Sequence, residues 1–453
     1  MEQPSTVRGV SKELAHLSNL SERLKPVVQE TQELTKRFAD AGYRLFLVGG
    51  IVRDALLGLR VDEACDLDLT TDAQPTATKQ ILEGWADALW TQGERFGTIG
   101  AHRHNRRVEI TTHRTEHYQP GSRKPDVVFA EAIEADLSRR DFTINAMAVE
   151  LPQGDLVDPF GGAADLAARR LRTPLEPANT FSDDPLRMLR AARFLAQFQL
   201  HCTQDVVEAI QQTAERLSIV AHERIRAELD RLLALADPVP GFGLLFSTGL
   251  AERVVGPIDD PQRALRGLNH AGSSPMVRLT VLMSGVGSPD EVRAALVERH
   301  FTKDVKQTVP TLLKLAQAAL NNPPQNLSEL RRWIVGAHSH HQEALEVAAA
   351  LDTATALNES AALGDAKPSA IDKLALDVAA LLQAEPDLLG PPVLDGKQIM
   401  AHLNLPPGPQ VGKAVAELHR YRLETGPLTP AEAHKHLNQW HTRPLAPQPP
   451  HKT

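Results

Sequence analysis

LFLVGGIVRDALLGLRVDEACDLDLTT, residues 45–71, decides how the amino-terminal part of this chain is read. The apolar run Leu45–Val48 predicts a strand ending at Gly49-Gly50, and a helix starting near Ile51 carries Arg53. A second strand bears Asp66 and Asp68. Side chains two residues apart on a strand point to one face, so these carboxylates converge. They repel each other unless a hard cation lies between them, and Mg²⁺ prefers such oxygen ligands. In phosphoryl transfer these ions activate an attacking hydroxyl and bridge a triphosphate. Gly49 and Gly50 let the backbone approach phosphate oxygens at the amino end of a helix, where the dipole favours anions. An isolated Asp-x-Asp is ordinarily just an exposed strand. Here glycine turn, arginine and acidic strand come in one order within a single unit. Glu109, in the strand-like RVEITT (107–112), is the candidate third carboxylate; an exposed strand glutamate is the competing reading.

Outward from this stretch the texture changes twice. Residues 1–40 read as a helical lead-in, with Leu17, Leu20, Leu24 and Val27 at helical spacing. Residues 41–175 alternate short apolar runs with glycines and turn residues, which predicts a head with a mixed β-sheet and helices. After about Phe181 the pattern is helical: a neck (176–256), a body (257–390) and a carboxy-terminal tail region (391–442). Residues 443–453 have the proline content of a disordered tail. The fold class expected is α+β, a mixed-sheet head followed by an all-helical neck, body and tail.

Composition narrows the function. Of 453 residues 42% are hydrophobic and 23% charged, as in an ordinary globular protein. No apolar run is long enough for a membrane span, and the amino terminus lacks an apolar signal core. Two cysteines far apart, Cys65 and Cys202, fit neither a disulfide framework nor a zinc site and suit a reducing cytoplasm. The net charge of −8 is opposite in sign to that of proteins that coat nucleic acid. An RNA partner would therefore be gripped at a limited footprint, by local arginines and bound cations.

GGIVRDALLG followed by DLD resembles the first motif of the class II tRNA nucleotidyltransferase and bacterial poly(A) polymerase family. Four further segments agree in order: RRDFTINAM (139–147), DPFGGAADL (158–166), DDPLRMLRAARF (183–194) and ERIRAELDRLL (223–233). LDGKQIMAHLNLPPGPQVGKAV (394–415) resembles the family's carboxy-terminal body. The match covers roughly residues 44–255 and 394–440. The resemblance implies that Asp66 and Asp68 hold catalytic Mg²⁺ and that Gly50 and Arg53 meet the triphosphate and ribose. It implies that Arg140 and Asp141 contact the nucleotide, Asp141 near the ribose hydroxyls. Asp158 and the glycines after it fall in the motif that hinges head to neck. One departure is Asp183, where the family usually has glutamate.

The segment at Asp183-Asp184-Pro185 predicts a helix start, with Asp184 and Arg187 three residues apart on one face. A carboxylate only accepts hydrogen bonds and a guanidinium only donates them. Cytosine and adenine both present an amine donor beside a ring-nitrogen acceptor; uracil and guanine present the reverse. The pair can therefore accept C or A and leave G or U mismatched. The alternative is a surface Asp–Arg pair of little energetic weight. Arg190 and Arg193 continue the series toward phosphates, though the stem of Arg193 can equally cover the neck.

The activity expected is addition of CCA to the 3′ end of tRNA from CTP and ATP, in the cytoplasm, by a monomer or homodimer. Poly(A) polymerase and enzymes adding CC or A alone are the rivals, together with a catalytically silent RNA-binding protein. THRTEHYQPGSRKPDVVF (112–129) lies where the family it resembles keeps a flexible loop, and the resemblance there implies full CCA addition. His338, His340, His341, His434, His436 and His441 read as solvated helix and loop residues. Phe142, Phe160, Phe181 and Phe194 read as core, and aromatics at 4% make a broad stacking surface unexpected.

Overall fold

The computed structural model describes residues 19–61, 66–104, 106–117, 126–359 and 369–442; Leu17, Cys65, the centre of the 112–129 loop and the proline-rich end lie outside the described residues. The chain divides into two compact units, Met1–Pro257 and Ile258–Thr453.

The first unit opens with two helices, Leu20–Glu30 and Gln32–Asp40. Its first nine strands are β1 (Leu45–Val48), β2 (Leu67–Thr71), β3 (Ala88–Trp90), β4 (Thr98–Arg103), β5 (Arg106–Thr112), β6 (Arg114–His117), β7 (Asp126–Phe129), β8 (Ala148–Leu151) and β9 (Leu156–Val157). Seven of them form one sheet in the order β3-β4-β5-β2-β1-β8-β9, while β6 and β7 make a separate ribbon. Within the seven-stranded sheet β2 and β5 run parallel and the other described pairs antiparallel. β1 is buried at every position, as its unbroken apolar run demands of a central strand. Phe46 and Val48 pack with Ile133, Leu137, Ala146 and Ala148. β2 alternates instead: Leu67 and Leu69 are buried, with Asp68 exposed between them. That alternation turns Asp68 away from the apolar layer beneath the sheet.

A helical half completes this unit. The Leu186–Phe198 helix packs on His222–Leu233 and on Val239–Ser247. A Cβ at Gly241 would lie 2.7 Å from the Ala192 carbonyl oxygen, so the close approach of two helices excludes any other residue there. Phe142, Phe181 and Phe194 are buried, and Phe160 packs half-buried against the core.

The second unit is helical throughout its described residues. Ser274, Ser288, Thr302, Asn326, Ser369, Asp395 and Thr429 each cap a helix start with a side-chain oxygen. The last three helices, Gly396–Leu403, Pro409–Thr425 and Pro430–His441, close over Leu394, Ile399, Ala414, Leu418, Ala433 and Leu437. His436 departs from the solvated reading: its Nε2 donates to the Glu417 carboxylate at 2.9 Å and its ring stacks on Tyr421 with centroids 3.6 Å apart. Glu417 and Tyr421 lie four residues apart on one helix face and so form the slot it fills. Among the described residues no helix is long and apolar enough to cross a membrane.

Candidate active site

Gly49 sits at φ 73°, ψ −128°, a conformation glycine alone adopts without strain. The Gly50–Leu57 helix begins at the next residue. A Cβ on Gly49 would stand 3.1 Å from Arg140 Nη1, so this guanidinium lies directly over the turn. Asp136 holds it there. This carboxylate is fully buried and accepts from Arg139 Nη2 at 2.6 Å and Arg140 Nη2 at 3.0 Å. Burial pushes the Asp136 carboxyl upward, but the two arginines overcome that and hold it below the usual carboxylate range. Arg140 Nε is buried and has no hydrogen-bond partner among the described residues.

Asp66 and Asp68 flank the buried Leu67 at the start of β2. Glu109 stands directly opposite Asp68 across the parallel β2–β5 pair, which puts both on the same face. The Asp68 carboxylate opens to solvent on one side but is ringed by protein on the others. Burial therefore raises its pKa, the charges of Glu109 and Asp66 raise it further, and nearby Arg140 offsets part of the rise. Crowded carboxylate oxygens of this kind are the donor set a hard divalent cation relieves, so the residues present fit Mg²⁺. Glu109 is bonded to Arg107, and among the described residues no three Asp, Glu, His or Cys side chains form a ligand group. The arrangement is a pair with a neighbour rather than a closed cage.

Arg53, Asp141, Arg190 and Arg193 are drawn into a different structure. Arg53 Nη1 donates to Asn145 Oδ1 at 2.6 Å, and Asn145 Nδ2 to Asp141 Oδ1 at 2.9 Å. Asp141 Oδ2 accepts from Arg190 Nη2 at 2.6 Å. Glu228, buried, then takes Arg193 Nε at 2.6 Å, Arg231 Nη1 at 2.9 Å and Arg190 Nη1 at 3.7 Å. Burial opposes the Asp141 charge, but Arg190 and the Asn145 hydrogen bond bring its pKa down to about 2. This chain of charged groups ties the Gly50–Leu57 helix to the Leu186–Phe198 and His222–Leu233 helices. Asp158 plays a local part, accepting from Gly162 N at 2.7 Å and Ala163 N at 2.9 Å at the start of the Gly162–Ala167 helix.

A cavity of about 640 Å³ opens beside the acidic strands, and its walls include Trp90, Glu109, Arg139, Asp184, Arg187 and Arg224. The helix expected to start at Asp183 is placed differently. Asp183 ends the Pro177–Asp183 helix, Asp184 is extended, and the next helix runs from Leu186. Pro185 forces the break, because proline disfavours helical conformation in the residue before it. Asp184 is thereby freed from a helix face and reaches Arg224 Nη2 at 3.2 Å. Arg187 Nη2 donates to the Arg139 carbonyl at 2.6 Å. Both side chains border one cavity, held by different partners.

Sequence reasoning passed over Asp136, Arg139, Asn145, Arg224 and Glu228 as functional residues. Asp136 had a signal, lying three and four residues before two arginines on a short helix. The other four stand inside quoted motifs but contact residues distant in sequence.

Residues 45–172 match the Poly A polymerase head domain, and residues 199–259 match the "Probable RNA and SrmB- binding site of polymerase A". The CCA-adding enzyme of Levilactobacillus brevis is 30% identical over 423 residues, covering 92% of this chain and 96% of that protein. The chain belongs to the CCA-adding enzyme family. It is a nucleotidyltransferase on that ground. The CCA-adding enzyme of Limosilactobacillus reuteri is 32% identical over 317 residues, covering 68% of this chain and 75% of its own length. Among solved structures of the family, Bacillus stearothermophilus CCA-adding enzyme in complex with CTP superposes with a TM-score of 0.67 at 26% identity, covering 91% of this chain and 97% of that one. The Thermotoga maritima CCA-adding enzyme complexed with tRNA shares the fold, with a TM-score of 0.67 at 18% identity over 94% of this chain and 98% of that one.

Proposed function

We propose that this chain builds or repairs the 3′ end of tRNA by adding C, C and A from CTP and ATP, without a template. The observation that carries this reading is the single cavity in which Asp184 and Arg187, an acceptor and a donor, stand beside the carboxylate row of β2 and β5. An acceptor next to a donor suits the edge shared by cytosine and adenine and mismatches the edge of guanine and uracil. One cavity serving both nucleotides suits an enzyme that writes C and A in turn. The relatives named above, one with CTP and another with tRNA, support the same substrates.

Gly49, Gly50 and Arg140 are assigned to the triphosphate: a glycine turn at a helix start under a guanidinium with an unpartnered N–H. Asp66 and Asp68 would hold Mg²⁺, with Glu109 the neighbouring carboxylate. Bound there, the metal supplies Lewis-acid polarisation of the phosphate and lowers the pKa of the attacking 3′ hydroxyl. Asp141, Arg53, Arg190 and Arg193 are assigned to positioning the neck against the head, since Asn145 links Arg53 to Asp141, Asp141 pairs with Arg190, and Glu228 pairs with Arg193. A cytoplasmic setting follows from the tRNA substrate.

The test is incubation of purified protein with tRNA lacking its CCA end, Mg²⁺ and single or combined nucleotides. The reading expects two C residues from CTP alone and a final A once ATP is added. Long adenine tails from ATP alone would replace it with poly(A) polymerase activity.

A further inference from the structure

Register places four residues in one row on one face of the sheet. Asp68 pairs with Glu109, Glu109 with Gly100, and Gly100 with Trp90. Neighbouring strands lie about 4.8 Å apart, so the row leads from the metal-binding aspartate out to the edge strand β3. At Gly100 the row has no side chain, and the Trp90 indole lies across the gap. A Cβ at Gly100 would fall 1.9 Å from Trp90 Cε2, so this packing requires glycine. The indole is half-buried, borders the 640 Å³ cavity, and has Arg107 at 5.4 Å from its ring.

The sheet order then assigns a direction. β1 and the Gly49 turn lie on one side of β2, while β5, β4 and β3 lie on the other. In phosphoryl transfer the attacking and leaving oxygens are roughly in line through the phosphorus. With the triphosphate held at Gly49 and Arg140, the leaving pyrophosphate departs on the β1 side. The attacking 3′ hydroxyl must therefore enter from the β5 side, where Trp90 lies.

We propose that Trp90 is a stacking platform for the terminal base of the RNA that receives the nucleotide, setting its 3′ hydroxyl against the carboxylate row. This rests on the nucleotidyl-transfer reading above and goes beyond it by giving the RNA primer end a residue. A π-face accepts any base, which suits an acceptor end that is successively the discriminator base, C and C. Trp90 acts by position and takes no part in the bond-making step.

The experiment compares an acceptor RNA carrying its terminal base with the same RNA abasic at that nucleotide. Wild type, Trp90→Ala and Trp90→Phe are each assayed for CMP addition. Stacking by one base is expected to make removal of the base raise the wild-type KM for RNA by roughly 10-fold. Trp90→Ala should show the same high KM with either RNA, and Trp90→Phe should restore the wild-type difference. Far-UV circular dichroism reports whether the variants are folded, and should match wild type. Equal losses on base removal in wild type and Trp90→Ala, or no loss in wild type, overturn the assignment. Failure of wild type to extend the intact RNA would instead overturn the function on which it rests.

Discussion

Burial raises the pKa of Asp68, and the charges of Glu109 and Asp66 add to the rise that Arg140 partly offsets. A carboxyl whose folded pKa lies above its unfolded value contributes stability as pH falls through the folded value, and weakens the fold above it. Metal-free Asp68→Asn is therefore expected to melt above wild type at pH 8 in chelator. The gap should narrow as pH is lowered, because only wild type then gains from protonation. Calorimetry across pH checks this, and a wild type that melts higher at pH 8 would contradict it. At the same scale, Asp184→Asn replaces an acceptor with a group that also donates. The kcat/KM preference for CTP over UTP should fall by roughly 100-fold, measured with each nucleotide alone. The local placement of Asp66, Asp68, Gly49 and Gly50 was legible in sequence because its signal is local: two residues of spacing, or one turn. The pairing of Asp184 with Arg224 was not, since 40 residues separate the two.

Between elements, stability depends on charges buried in pairs. Glu228 faces Arg190, Arg193 and Arg231; its removal leaves the buried Arg193 guanidinium without a counter-charge, while Arg190 keeps Asp141 and Arg231 is exposed. Glu228→Ala is expected to cost about 3–5 kcal/mol in urea unfolding of the first unit's transition. A change under 1 kcal/mol would show that the neck does not depend on this carboxylate. Gly162→Ala tests the Asp158 motif: its Cβ would lie 2.1 Å from the Thr143 carbonyl oxygen, so backbone must shift, at a cost of about 1–3 kcal/mol. Helices and sheet strands were visible in sequence as apolar periodicity. The parallel β2–β5 pair was not, because pairing partners are chosen by the rest of the sheet. Nor was the charged chain through Asn145, whose bond to Arg53 spans 92 residues. The break at Pro185 is readable in principle, because proline disfavours a helical residue before it, but the same Asp-Asp-Pro signal also marks a helix start.

For the whole molecule, acid is the informative condition. Asp141 has its pKa lowered from 3.8 to about 2, and Asp136 is also lowered. A depressed carboxyl contributes stability that is present above the unfolded pKa and is lost as pH falls through the folded one. The first unit should accordingly lose on the order of 2 kcal/mol from Asp141 between about pH 4 and pH 2, and Asp141→Asn should flatten that stretch of the curve. The change from glycine-punctuated apolar runs to helical periodicity near Phe181 falls inside the first unit, so composition alone did not mark the division at Pro257. Which helices of the second unit face RNA had no sequence signal, since its Ala- and Leu-rich stretches describe packing alone.

The central claim is that Asp66 and Asp68 together hold the divalent ion that transfers a nucleotide to RNA. It is tested most directly by single-turnover CMP addition to tRNA lacking its CCA end, with Mg²⁺, comparing wild type with Asp66→Ala and Asp68→Ala. Each variant is expected to lose at least roughly 1000-fold in rate, with tRNA affinity within about threefold of wild type because two carboxylates add little to a footprint fixed mainly by phosphate contacts. A variant that still transfers at near the wild-type rate would contradict the account.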